Sequence, residues 1–220
     1  MGTANQAVTP GRTTLVEAVN VLLANLGEAP IVTLEDPQNG EAAVAERTIL
    51  EFHREGQTRG WSWNTEQAYE FVRDVSTNEI VVPTNVVRFV PDAYQWAHRF
   101  QLRGQRVYDK LNRTYELLDI PSLQADVTFL LSWDECPEAF NRWVTIRSAR
   151  VFQERILSAD SLSVYTTEQE NRAFMELMRV ENDQLEANVL SGGYGLMPFP
   201  TFNPAFGLTG RRSSGVLRRG

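Results

Sequence analysis

The stretch Arg59-Gly60-Trp61-Ser62-Trp63-Asn64 divides the chain into two kinds of sequence pattern. On its N-terminal side, apolar residues recur at the three- and four-residue spacing of amphipathic helices. On its C-terminal side, short runs rich in β-branched and aromatic residues alternate with Pro, Gly, Asn and Asp, as is typical of strands joined by turns. The position at which the period changes therefore determines the domain organisation.

Two amphipathic helices are predicted before this stretch. Thr14 and Glu17 have the spacing of a capping box, in which each side chain accepts a hydrogen bond from the backbone N–H of the other residue. Gly27 is a suitable C-cap for this first helix, and the second helix is predicted over residues 41–57. The apolar positions at helical spacing are Leu15, Val19, Leu22, Leu23 and Leu26 in the first helix and Ala42, Ala45, Ile49 and Phe52 in the second.

Short antiparallel strands are predicted after the same stretch. No helical pattern intervenes between them, so a small sandwich or barrel is expected. The predicted strands span residues 69–72, 80–82, 86–90, 100–102, 106–108, 115–118 and 127–133, and residues 102–106 form the best hairpin candidate.

Helical spacing returns near Pro137, a residue suited to the first turn of a helix. Asp134 and Glu135 lie near the predicted cap, where their charge is favourable to the helix dipole. A last helix is predicted to begin at Thr167 and to end by residues 191–193. The apolar positions are Phe140, Trp143, Val144, Val151 and Phe152 in the third helix and Phe174, Leu177, Met178 and Leu185 in the last.

This order of elements predicts an α+β fold with a discontinuous helical domain. Neither flanking pair of helices can bury its apolar stripes alone, so the two pairs are expected to pack together as a bundle. We therefore predict a helical bundle domain over residues 12–60 and 134–191, an inserted small antiparallel β domain over residues 61–133, and an extended C-terminal tail over residues 192–220.

Charge is distributed unevenly along the chain. The formal net charge of -7 argues against general affinity for nucleic acid, which depends on the neutralisation of phosphates. The tail, in contrast, has four arginines and no acid, which leaves 17 bases against 28 acids in residues 1–191, a net charge of -11. The sequence thus combines an acidic body with a basic tail.

The tail is predicted to dock on another protein. Its glycines and prolines exclude regular structure, whereas a solvated linker would not need three phenylalanines within eight residues. Contact with nucleic acid and a merely soluble end are the alternatives. The candidate docking residues are Tyr194, Phe199, Phe202, Phe206, Arg211, Arg212, Arg218 and Arg219.

No residue pattern predicts catalysis, a metal site or a cofactor. The two histidines, His53 and His98, have no accompanying nucleophile signature, and Cys136 is the only cysteine. Trp61 and Trp63 could form a stacking platform for a carbohydrate or a base, but aromatic residues at a junction between a helix and a strand usually belong to the core. We expect a protein that is not an enzyme.

Three strings of residues carry a family resemblance: Leu26-Gly27-Glu28-Ala29-Pro30 after the first helix, Arg59 to Asn64 after the second, and Asp134-Glu135-Cys136-Pro137-Glu138-Ala139-Phe140 at the third. In this order they resemble tail tubular protein A, the head-to-tail adaptor of podoviruses with short non-contractile tails. The resemblance covers about residues 12–190.

The resemblance implies a role in assembly. Proteins of that family form a twelve-subunit ring between the capsid portal and a tail nozzle of the tail tubular protein B type, and tail fibres attach near this junction. The ring helps to retain the packaged DNA and lets it pass at ejection. The resemblance carries over no catalytic residue, and it implies a location in the virion tail after assembly in the host cytoplasm.

An acidic helix in such a ring would form an acidic annulus. If the last helix faces the channel, Glu176, Glu181, Asp183 and Glu186 are expected to repel the DNA phosphates. Two other functions remain open at this point. A tail-associated polysaccharide hydrolase would show a pocket with paired carboxylates near Trp61 and Trp63, and a nucleic-acid-binding module would act through the tail arginines.

Overall fold

The computed structural model describes residues 11–35, 40–92, 96, 98–157 and 167–184. This part of the chain contains two helices, then five strands, then two further helices, so the predicted α+β fold class is confirmed. Short 3₁₀ turns, Ser62–Asn64 and Trp133–Glu135, lie where the chain crosses between helices and strands. The elements are α1 (Leu15–Leu26), α2 (Gly40–Gln57), β1 (Thr65–Val72), β2 (Val86–Pro91), β3 (Phe100–Arg103), β4 (Arg106–Asp109), β5 (Ser122–Phe129), α3 (Glu138–Leu157) and α4 (Thr167–Gln184).

Local hydrogen bonds determine both ends of α1, as predicted. The Thr14 hydroxyl accepts from the Glu17 N–H at 3.2 Å, and the Glu17 carboxylate accepts from the Thr14 N–H at 2.7 Å. At the other end Gly27 adopts a left-handed conformation with φ 78°, and its N–H donates to the Ala24 carbonyl oxygen.

The helices pack around α3, which α1, α2 and α4 all contact. Because α3 is enclosed on most sides, it buries polar residues as well as apolar ones, and the Thr145 hydroxyl donates to the Asn141 carbonyl oxygen at 2.8 Å. Trp61 and Trp133, at the edges of the predicted β domain, pack in this helical core. Its large members include Leu22, Leu23, Ile49, Phe52, Phe140, Trp143, Phe152 and Leu177.

The strands form an open three-stranded sheet and a separate hairpin. The sheet is antiparallel in the order β1-β5-β2, and β3 pairs with β4 through the predicted turn, in which Gly104 has φ 62°. The sheet does not close on itself within the described residues, so of the predicted sandwich or barrel the barrel is not formed. The strands and their loops have their own core, built from Phe71, Ile80, Val82, Phe100, Val107, Leu117, Leu123 and Val127.

Three of the predicted strands differ from the structure. Residues 80–82 and 115–118 are loops, although Ile80, Val82 and Leu117 are buried, because each loop meets neighbouring backbone at isolated points and forms no continuous ladder. The strand predicted at 127–133 lies earlier, at β5, and Trp133 belongs to a 3₁₀ turn. The end of the last helix, beyond Gln184, and the tail over residues 192–220 lie outside the described residues.

Candidate functional site

A buried amide joins the C-terminal end of α2 to the chain that follows β5. Gln57 is fully buried; its Nε2 donates to the Leu131 carbonyl oxygen at 3.1 Å, and its Oε1 accepts from the Leu131 N–H at 2.8 Å. The side-chain amide of Gln57 thus both donates to and accepts from one backbone residue, as the residue opposite does in a hydrogen-bonded pair of antiparallel strands. The backbone groups of Leu131 are thereby satisfied where the core of the helices and the core of the strands meet.

A second amide completes the connection. The Nδ2 of Asn64 donates to the carbonyl oxygens of Gln57 at 3.0 Å and Phe129 at 2.9 Å, and its Oδ1 accepts from the Trp61 N–H at 2.8 Å. The Trp61 indole donates to the Gly56 carbonyl oxygen at 2.9 Å. We refer to Gln57 and Asn64 together as the junction lock, because they bind α2, the first 3₁₀ turn and the end of β5 to one another.

Trp61 and Trp63 do not form an open stacking platform. Their rings are nearly parallel, with centroids 6.5 Å apart, but Trp61 is only 5% exposed and both rings pack against Phe140. The carboxylate that reaches this stretch belongs to Glu181, and it accepts from the Ser62 N–H at 2.6 Å. A glycosidase needs two carboxylates facing one substrate bond, and Glu181 is instead engaged with backbone.

The structure brings Cys136 and His53 together, which the sequence did not predict. The Cys136 Sγ lies 3.4 Å from the His53 Nε2, and the imidazole packs between the rings of Trp133 and Phe140. The two residues are 83 positions apart, and no local pattern links them. This pair is the nearest approach to a catalytic arrangement in the described part of the chain.

The surroundings of this pair oppose catalysis. Burial, with a further contribution from the Glu135 charge, raises the pKa of the Cys136 thiol to about 12. Burial, assisted by the Arg54 charge, lowers the pKa of His53 to about 4. A cysteine nucleophile requires a thiolate within reach of substrate, whereas both groups here are buried and neutral at pH 7. The pair is a packing contact of the core.

The low pKa of His53 predicts a loss of stability at mildly acidic pH. The unfolded chain binds a proton near pH 6.5 and the folded chain only near pH 4, so the stability present at neutral pH falls through this window. We expect the free energy of unfolding to decrease by about 2 kcal/mol between pH 7 and pH 5. Chemical denaturation at the two pH values measures this change. His53→Leu should remove most of it and His98→Gln should not; an unchanged slope in His53→Leu would contradict the assignment.

Two acids of α4 are directed into the protein. Glu170 and Glu181 are both buried, and Glu170 pairs with Arg147 at 3.3 Å and Arg150 at 2.8 Å. Glu181, predicted as a channel-facing acid, is instead the acceptor for Ser62. The sequence contained a signal for this placement, because Glu170, Ala173, Leu177 and Glu181 share one helical stripe.

The exposed face of α4 alternates in charge. Arg179 pairs with Glu176 at 2.6 Å and with Asp183 at 3.3 Å, and Arg172 pairs with Glu168. The exposed acids are thus largely matched by arginines along the helix. Glu186 and all eight candidate docking residues of the tail, from Tyr194 to Arg219, lie outside the described residues.

Two further features are absent from the residues that the structure describes. No group of His, Cys, Asp and Glu side chains there is arranged to hold a metal ion. Within the same ranges, no helix has the length and apolar character needed to cross a membrane.

Comparison with known families gives one match that covers most of the chain. A family model described as Tail tubular protein matches residues 16–187, from α1 to beyond α4. A search of curated proteins found no match.

Proposed function

The chain belongs to the tail tubular protein family, and from this membership we propose that it is a ring-forming adaptor between the capsid portal and the tail nozzle. Membership makes it a structural protein of a phage tail. The observation that carries the proposal is that the family match includes both the helical bundle and the inserted β domain. In the proposed assembly twelve copies surround the DNA channel, contact the portal and a nozzle of the tail tubular protein B type, and lie near the tail fibres.

The junction lock supports a role in a symmetric assembly. Every contact between subunits is repeated around a ring, so a change in the angle between the two domains would disturb each interface. Gln57 and Asn64 join the two cores through buried bonds to backbone, and each buried group that loses its partner costs about 1–3 kcal/mol. Each copy would therefore present its surfaces in the same relative positions.

We also propose that the exposed face of α4 lines the DNA channel. Its exposed acids are Glu168, Glu176 and Asp183, with Glu186 next along the sequence, whereas Glu181 is buried and contributes nothing to the surface. Because Arg179 pairs with Glu176 and Asp183, and Arg172 pairs with Glu168, this face has little free positive charge with which to bind phosphates. DNA could then slide past the helix without adhering to it.

Electron microscopy of the purified protein, with and without the portal, tests the adaptor function. We expect rings of twelve copies that stack on the portal, with α4 on the inner surface.

A chain truncated after Gly193 should lose portal binding or ring formation, because the tail supplies docking contacts. A monomer under every condition would overturn the proposed function, and α4 on the outer surface would overturn its channel role. DNA binding with a steep salt dependence that disappears without residues 211–219 would instead indicate a nucleic-acid-binding module.

A further inference from the structure

The connection between α1 and α2 holds apolar side chains in solvent. Val32 is 95% exposed, and Val44, in the second turn of α2, is 49% exposed. The connection is fixed by Asn20, whose Nδ2 donates to the Ile31 carbonyl oxygen at 2.9 Å and whose Oδ1 accepts from the Ile31 N–H at 2.8 Å. The backbone next to Val32 is therefore held in place while the Val32 side chain lies in solvent. A partner that covered this side chain would remove apolar area from water.

Acidic side chains accompany these valines. From Thr13 to Glu46 the sequence has six acids and no base. Within the described ranges, the four glutamates that follow α1 up to residue 46 form no ion pair with another residue. We refer to this part of the chain, from Glu28 to Glu46, as the acidic corner; its exposed valines are Val32 and Val44, and its glutamates are Glu28, Glu35, Glu41 and Glu46.

The C-terminal tail has the complementary chemistry. It combines four arginines, no acid, and three phenylalanines between residues 199 and 206. Aromatic and arginine side chains are the residue types that most often anchor protein interfaces. An apolar surface with unpaired carboxylates suits such a segment, because the rings can cover the valines while the arginines pair with the glutamates.

The tail starts at the opposite end of the helical bundle from the acidic corner of its own subunit. Glu181, in the last turn of α4, binds Ser62 beside the β domain. The acidic corner lies at the opposite end of α2, a helix of 18 residues that spans about 27 Å. The 36 residues after Gln184 therefore start at the far end of the bundle, on a helix that runs away from the corner.

We propose that the C-terminal tail of one copy docks on the acidic corner of a second copy, with its phenylalanines against Val32 and its arginines beside Glu35 and Glu41. The inference rests on the proposed ring, since a contact between two different surfaces of successive copies closes into a ring when the rotation is suitable. The charged part of the contact weakens with salt, because the screening length falls from about 10 Å at 0.1 M to about 3 Å at 1 M.

Disulfide cross-linking in the full-length protein tests this contact. Cys136 is fully buried and remains unreactive. Any disulfide that forms therefore involves only the cysteines that are introduced at exposed positions. The experiment mixes one chain that carries Val32→Cys with a second chain that carries Phe202→Cys. The mixture is kept under the conditions in which the wild-type protein assembles, either alone or on the portal, and is then mildly oxidised. The matched control is Val75→Cys, which replaces an 87% exposed valine on the β domain. We expect roughly tenfold more cross-linked pairs with Val32→Cys than with Val75→Cys.

The outcomes separate this inference from the proposed function. Equal cross-linking of the Val32→Cys and Val75→Cys chains, in a protein that still forms rings, would overturn the tail contact and leave the adaptor function standing. A chain with both Val32→Cys and Phe202→Cys that forms only an internal disulfide would show that the tail returns to its own subunit. A wild-type protein that never assembles would overturn both.

Discussion

Gly56→Val is expected to destabilise the protein by about 3 kcal/mol or more, because the helix packs too closely on α3 to accommodate a side chain there. A Cβ at residue 56 would lie 2.8 Å from Cζ3 of Trp143 and 2.9 Å from Cε2 of Phe140. Both rings are buried, so neither can move without disturbing its neighbours in the core. Valine is the better helix former by only about 0.5 kcal/mol, so the steric cost dominates. Thermal denaturation should show the midpoint lowered by about 6–12 °C.

Gly40→Val is the matched control, because Gly40 begins the same helix and a Cβ there would meet no atom within 4 Å. Its stability should remain within about 0.5 kcal/mol of the wild type. If both variants unfold at the temperature of the wild-type protein, the close approach of α2 to α3 is not present in solution.

The helices were predictable because their signals are local. The capping box at Thr14 and Glu17 and the left-handed Gly27 each depend on residues within one turn of the chain. The observed bounds of α2, Gly40–Gln57, differ from the prediction by one residue at the start. Local hydrogen bonds need no knowledge of the rest of the fold.

The strands were harder because apolar alternation indicates burial and does not specify pairing. Ile80 and Val82 alternate with an exposed Val81 as a strand would, and both are buried. Among the described residues, the segment nevertheless pairs at one bridge, between Val81 and Arg106. A ladder needs a partner of matching length and register, which a short segment cannot reveal.

The candidate site was predictable only in part, for two different reasons. The contact of Cys136 with His53 joins distant parts of the chain through the packing of α2 against the start of α3, so no local pattern could indicate it. The burial of Glu181, in contrast, was implied by its position four residues after Leu177 on the apolar stripe. If every acid of a helix is assigned to the solvent, the acids that accept hydrogen bonds from backbone groups inside the protein are missed. Glu181, which accepts from the Ser62 N–H, is such an acid.

The junction lock shows why polar residues at such positions resist prediction. Gln57 would ordinarily be assigned to the surface from its residue type, since glutamine is rarely buried. Its burial follows from the need of Leu131 for a donor and an acceptor at a place where no strand is available. The requirement comes from a segment 74 residues away, so no local pattern around Gln57 indicates it.

Gln57→Leu is expected to destabilise the protein by roughly 2–6 kcal/mol, although leucine nearly matches glutamine in size. The substitution leaves the N–H and the carbonyl oxygen of Leu131 without their partners, and each unsatisfied buried group costs about 1–3 kcal/mol. His53 also loses the amide nitrogen that lies 3.1 Å from its Nδ1. Urea denaturation measures the global loss, and hydrogen exchange of the Leu131 amide reports the opening of the junction itself.

Gln101→Leu provides the control, because Gln101 is exposed on β3 and the same substitution there should change stability by less than about 0.5 kcal/mol. In Gln57→Leu the Leu131 amide should exchange much faster than in the wild-type protein, whereas in Gln101→Leu its rate should be unchanged. Faster exchange confined to the junction, with the core of α3 still protected, would mean that the two domains separate before either unfolds. Exchange and stability that both match the wild-type protein would contradict the role of Gln57, since water or another group would then satisfy Leu131 in its place.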